Sequence, residues 1–248
     1  MAVSNDDTCA LLSEDQTPSD QTCMNCMVRR FSLFDDLNVE ELATLDLNRS
    51  RVSYKAGEYI YKQGTRPIGL ICLSRGKVKI TTDSISGTEQ IIALRKPVDF
   101  LGFTDLMGED VHFSSAIAME ETEICFIPLA DFMDLVKTNL SLALKIIKQL
   151  INELTKANQR TADLTQKHMR ARLADALLYV LNTYGTSEID NVLNVDLKRS
   201  DLAGLSNMTT ANAIRTLSEF VKSDLVGVDG RKIKIKNLQE LENISLAG

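Results

Sequence analysis

Residues 206–220, SNMTTANAIRTLSEF, begin small and polar and end amphipathic. Thr209, Thr210, Ala211 and Asn212 carry little bulk, while Leu217, Phe220 and Val221 are spaced to bury one face. Arg215, four residues after Ala211, stands on the other side. A lean first turn followed by one long exposed donor suits close approach to another surface, and guanidinium chemistry suits it to gripping two acceptors at once. Other reactive side chains are few. Two histidines leave little for acid–base or metal chemistry, and there is no glycine loop of the P-loop or dinucleotide type. Cys23 and Cys26 form a CxxC spacing. A nucleotide-fold redox enzyme built on it would need the alternating strand–helix order that this chain lacks.

The elements that must position these groups follow from the hydrophobic period. Residues 1–22 are acidic and polar and read as a flexible tail. LNVEELATLDL, from Leu37, reads as a short helix capped by Asn or Asp. From Ser53 to Pro128, short β-branched runs break at Gly57, Gly64, Gly76, Gly87 and Gly102, as in a small antiparallel sheet closed into a roll. From Pro128 the pattern turns helical and stays so. Leu140, Leu144, Ile147, Ile151, Leu154, Asn158, Thr161 and Thr165 fall at alternating steps of four and three, widened by Ala143, Leu150, Ala157 and Leu164. Such a heptad seam asks for a partner helix and predicts a parallel homodimer, with Asn158 helping to fix register. Beyond it, HMRARLADALLYVLNTYG reads as an amphipathic helix ended by Gly185. Two helices then meet at a tight turn over 205–208, and LVGVDGRKIKIKN alternates as a hairpin around Asp229-Gly230. The expected organisation is α+β: a tail at 1–22, a β-roll sensor at 23–130, a dimerisation helix at 131–166, and a winged helix–turn–helix at 167–248.

The totals narrow the class. In 248 residues, 44% hydrophobic and 25% charged content are ordinary for a globular chain. No apolar run reaches the length of about 18 residues that suggests a membrane span. The N-terminus has acids where a signal peptide needs cations, so the chain reads as cytoplasmic. Five cysteines are too few for a disulfide framework at this length. The net charge of −6 is unevenly distributed: residues 1–50 carry −7, and residues 167–236 carry +3. The basic region is the one that holds the opening stretch.

From about Cys23 onward the chain resembles the CRP/FNR superfamily of bacterial transcription regulators. The resemblance rests on KAGEYIYKQG, SRGKVKI, KPVDFLGF, the long helix, and RSDLAGLSNMTTANAIRTLSEFVKSDLVGVDGRKIKI, in that order. It implies a double-stranded β-helix of the cyclic-nucleotide-binding type, a dimer, and double-stranded DNA and RNA polymerase as partners. It also implies that Thr209 begins the recognition helix as its N-cap. Thr210 and Ala211 then enter the major groove, Arg215 reaches guanine O6 and N7, and Thr209, Asn212 and Arg199 hold phosphate. Arg231, Lys232 and Lys234 meet the backbone at the flank. Relatives that read the family's best-known operator have Glu at the position of Ala211, so that operator does not transfer. The alternative is a redox- or ligand-sensing β-roll that does not touch DNA.

The sensor departs from both branches of the family. Cyclic-nucleotide binders use a Glu and an Arg-Ser pair; here Phe103 takes the Glu position, and Ser114-Ser115 replaces Arg-Ser. The expected pocket offers a cyclic phosphate no buried cation, so cyclic AMP is not the expected effector. The oxygen-sensing branch uses three N-terminal cysteines and one strand cysteine to hold an iron–sulfur cluster. Cys23, Cys26 and Cys125 match three of these four positions, and Ser32 occupies the fourth. Cys72 reads as a small strand residue, and haem would find only His112 in the sensor. The cofactor is left open.

Overall fold

The computed structural model describes residues 32–83, 89–108, 111–187 and 190–247. Cys9, Cys23, Cys26, Gly87 and the expected tail lie outside these residues. Helix α1 (Val39–Leu47) starts at a capping box: the Asn38 side chain accepts from the Glu41 N–H, and the Glu41 carboxylate accepts from the Asn38 N–H, both at 2.9 Å. This exchange satisfies two N–H groups that a helix start leaves open.

The roll consists of two four-stranded antiparallel sheets. One has the order β1 (Ser50–Tyr54), β8 (Thr122–Pro128), β3 (Gly69–Arg75), β6 (Phe100–Leu101). The other has the order β2 (Tyr59–Tyr61), β7 (Ser115–Ala118), β4 (Val78–Asp83), β5 (Glu89–Arg95). Leu73, Val78, Ile80, Leu101, Ala116 and Ile124 fill the space between them. Gly76 turns β3 into β4 with φ +92°, where a Cβ would lie 2.5 Å from the Thr122 hydroxyl; glycine alone fits both constraints. A short helix, α2 (Phe103–Met107), lies between β6 and β7.

The helical stretch after Pro128 is not continuous. It divides into α3 (Leu129–Thr138) and α4 (Leu140–Gln166) at Asn139, whose backbone is extended at φ −114°, ψ 98°. The Asn139 side chain explains the break: its oxygen accepts from the Leu142 N–H to cap α4, and its amide donates to Glu41 at 2.8 Å. Leu142 and Ile146 bury one face of α4 against the roll, together with Phe132 and Leu135 of α3. Leu150 packs partly against the same core, so it belongs to this face rather than to the seam. On the opposite face Leu140, Leu144, Ile147, Ile151 and Leu154 are 52–74% exposed.

The C-terminal part comprises α5 (Met169–Tyr184), α6 (Arg199–Ser206), α7 (Thr210–Lys222), the hairpin β9 (Val226–Asp229) and β10 (Lys232–Ile235), and α8 (Leu238–Leu246). One expectation is corrected here. The hairpin turn is Gly230-Arg231, one residue later than Asp229-Gly230, because Asp229 pairs with Lys232 and Gly230 alone takes the positive φ of 55°. Helix α8 follows the wing and has no counterpart in the expected organisation. Asn237 caps it by accepting from the Glu240 N–H, and Leu241 is fully buried.

The roll and the C-terminal part share a core. Ile91 and Leu94 of β5 pack with Leu173, Leu177, Leu202, Leu205 and Phe220. Gly204 lets α6 lie against β5: a Cβ there would come within 3.0 Å of the Glu89 carbonyl oxygen.

Candidate functional site

Helix α6 ends at Asn207, left-handed at φ 49°, and two residues later Thr209 caps α7 by accepting from the Asn212 N–H at 3.3 Å. Ala213, Thr216, Leu217 and Phe220 bury one face of α7. Thr209, Thr210, Ala211 and Arg215 are exposed and Asn212 is half-buried, so the chain presents these five together at the helix start. The wing lies alongside. Ile233 and Ile235 point into the core, which turns Lys232 and Lys234 outward, and Arg231 stands in the exposed turn itself. Arg199 is placed differently from the others. Its guanidinium donates to the Gly230 carbonyl at 2.9 Å, tying the start of α6 to the wing turn. Sequence reading passed over Ile214, a β-branched residue 44% exposed beside Arg215. The available signal was its position outside the buried spacing of Ala213, Leu217 and Phe220.

A cavity of 880 Å³ lies between the roll and α4. Phe103 and Ser114 line it. Phe103 is buried against Phe100 and Phe132, and Ser114 hydrogen-bonds to Tyr61, whose phenol burial pushes up to about 12. Ser115 does not line it; its hydroxyl accepts from the Gln63 N–H at 2.9 Å. The expectation of no buried cation is corrected, because Arg95 and Arg160 both stand in the wall. They come from outside the Phe103–Ser115 region, so that motif could not reveal them. Both are already engaged. Arg95 donates to Glu153 at 2.6 Å; burial works against its charge, but Glu153 and Asp99 hold its pKa above the ordinary guanidinium range. Arg160 donates to the carbonyls of Ile91 and Leu205 and stacks over Tyr179, and burial lowers its pKa. Arg160 therefore joins α4, β5 and α6 at one point. Beside this junction Lys79 of β4 reaches Glu89 at 2.5 Å and Asp201 of α6 at 3.0 Å. Asp201 also accepts from the Lys198 N–H, so the cap of α6 is part of this contact.

Cys125 lies on β8 directly opposite Cys72 on β3, and the Arg49 guanidinium is 3.8 Å from its sulfur. Ser32 accepts from the Phe34 N–H. Cys23 and Cys26 lie outside the described residues, and among the described residues no group of three or more His, Cys, Asp or Glu side chains is arranged to hold a metal. His112 is buried, stacked on Tyr61 and bonded to Asp105 at 3.2 Å. No helix among the described residues is long and apolar enough to cross a membrane.

Comparison with known proteins adds independent findings. Residues 51–139 match the model of the cyclic nucleotide-binding domain, and residues 171–244 match that of the Crp-like helix-turn-helix domain. A fumarate and nitrate reduction regulatory protein of Vibrio cholerae is 30% identical over 230 residues, covering 91% of this chain and 90% of the relative. An anaerobic regulatory protein of Aggregatibacter actinomycetemcomitans is 27% identical, covering 90% and 87%. Among solved structures, FixK2 from Bradyrhizobium japonicum superposes with a TM-score of 0.70 at 22% identity, covering 80% of this chain and 98% of that one. A putative regulator of the crp/fnr family from Eubacterium rectale gives 0.71 at 19%, covering 86% and 97%.

Proposed function

This chain belongs to the CRP/FNR superfamily of bacterial transcription regulators, and from that premise we propose that it reads duplex DNA as a two-fold dimer through the start of α7. It is a sequence-specific DNA-binding regulator and not an enzyme. The observation that carries the finer reading is the face of α7 opposite its buried stripe, where Thr210, Ala211 and Arg215 stand exposed. Small groups let the helix backbone enter a major groove, and the Arg215 fork matches guanine O6 and N7. Thr209 and Asn212 hold phosphate at the helix start. Arg231, Lys232 and Lys234 take the flanking backbone, while Arg199 fixes the wing that carries them. The exposed apolar stripe of α4 supports pairing of two chains, which puts the two reading helices on half-sites about 34 Å apart. RNA polymerase is the further partner proposed for such a regulator, and the cytoplasm is its proposed location.

The cavity is the proposed entry for the signal, and that signal is not cyclic AMP. A cyclic phosphate carries a full charge and needs unengaged donors in a dry site. The charge of Arg95 is already balanced by Glu153 and Asp99, and Arg160 is held by two backbone carbonyls that tie it to β5 and α6. Calorimetry should detect no cyclic AMP binding, and a micromolar isotherm would remove this part of the reading. For DNA, selection from a random duplex library with the full-length protein should return a paired half-site motif. Arg215→Ala should lose about 1–3 kcal/mol on it and relax one base pair per half-site. An unchanged motif and affinity would mean that α7 is not the reader.

A further inference from the structure

Ile214 is the one large apolar side chain in the first two turns of α7 that stays outside the core: it is 44% exposed, while Ala213 and Leu217 are buried. At about 100° per residue, Ile214 lies between Thr210 and Ala211 in projection and one step from Arg215. Thr210, Ala211 and Ile214 therefore form a continuous methyl-bearing surface beside a single cation. Helix α7 carries no carboxylate until Glu219, which faces Arg170 at 3.9 Å near the other end. A single exposed aliphatic residue is ordinary on a protein surface. This one lies in the N-terminal turns, the part of a recognition helix that meets base edges.

The base edges of the major groove offer one apolar feature, the 5-methyl group of thymine, and cytosine presents an amino donor that needs an acceptor. A face with methyl groups, one guanidinium and no carboxylate selects guanine and thymine against cytosine. Resting on the reading of α7 as the DNA-contacting helix, we propose that Ile214 is a specificity-determining residue that packs against the 5-methyl group of a thymine adjacent to the guanine taken by Arg215. Ala211, on the same surface, leaves room for the base to approach.

The test uses the full-length protein and the duplex it selects, with every measurement at one salt concentration because affinity depends on it. Each thymine of a half-site is replaced singly by deoxyuridine, which removes one methyl group and no hydrogen-bonding atom. Wild type should lose about fourfold in affinity at the contacted position, the equivalent of one buried methyl group. Ile214→Ala should lose most of that discrimination at that position alone, and Ile214→Val should keep it. The uracil substitution alters only the DNA, so it remains informative if a variant folds poorly. Identical uracil profiles in wild type and Ile214→Ala overturn the methyl contact while leaving α7 as the reader. A motif that Arg215→Ala does not change overturns both.

Discussion

The exposed face of α7 with the wing, and the cavity beside α4, use cationic side chains in opposite ways. On α7 and the wing, Arg215, Arg231, Lys232 and Lys234 project into solvent. In the cavity, Arg95 and Arg160 are drawn inward, and one nitrogen of each guanidinium is already held, by Glu153 or by backbone carbonyls. A cation meant for a polyanion has to keep its donors available, because each phosphate or guanine contact replaces bound water or counterion. A cation in a wall must be paired, because an uncompensated buried charge is costly. The first kind is the one proposed for recognition, and in the second Arg160 joins three elements.

The largest expected effect concerns the surface proposed to join two copies. Replacing Ile147 and Leu154 together by Lys puts charges into the apolar stripe of α4. It should yield monomers by light scattering, with DNA affinity down about a hundredfold as the second half-site is lost. A protein that remains dimeric would show that the stripe is not the joint. Next, Glu153→Gln removes the carboxylate bonded to Arg95, leaving Asp99 as the remaining nearby charge, and should cost about 2–3 kcal/mol of stability by denaturant unfolding. Arg215→Ala, by contrast, should unfold within about 0.5 kcal/mol of wild type, as solvent-facing substitutions do. Equal stability of the two variants would erase the distinction between paired and available cations. The smallest effect is expected at the wing: Lys232→Ala should weaken all sequences alike and lower the salt slope of binding by about one unit. Loss confined to one sequence would make Lys232 a base reader.

What was legible in the sequence follows the range of each interaction. The start of α7 at Thr209 is implied by the family resemblance, and the cap it forms is local, since Thr209 bonds to a residue three positions on. The wing strands were found because Ile233 and Ile235 alternate with Lys232 and Lys234. The hairpin turn was misplaced by one residue, since register depends on which pairs close the ladder and not on the dipeptide alone. The unbroken helix was wrong at Asn139 because that side chain has two jobs, and its partner Glu41 is 98 residues away. Arg95 and Arg160 were missed for the same reason: Glu153 lies 58 residues from Arg95, and Leu205 lies 45 from Arg160.

The sequence by itself therefore determined the strands of the roll and wing, the cap of α1, most of the exposed seam of α4 and the basic charge of the C-terminal part. Each of these is encoded by groups within one or two turns of one another. Only the tertiary structure decided that β5 and the reading domain share a core, that Lys79 meets Asp201 across that contact, and that Arg199 grips the wing. Those partners are distant in the chain. Their pairing is selected by the simultaneous packing of whole elements, a quantity that no local window contains.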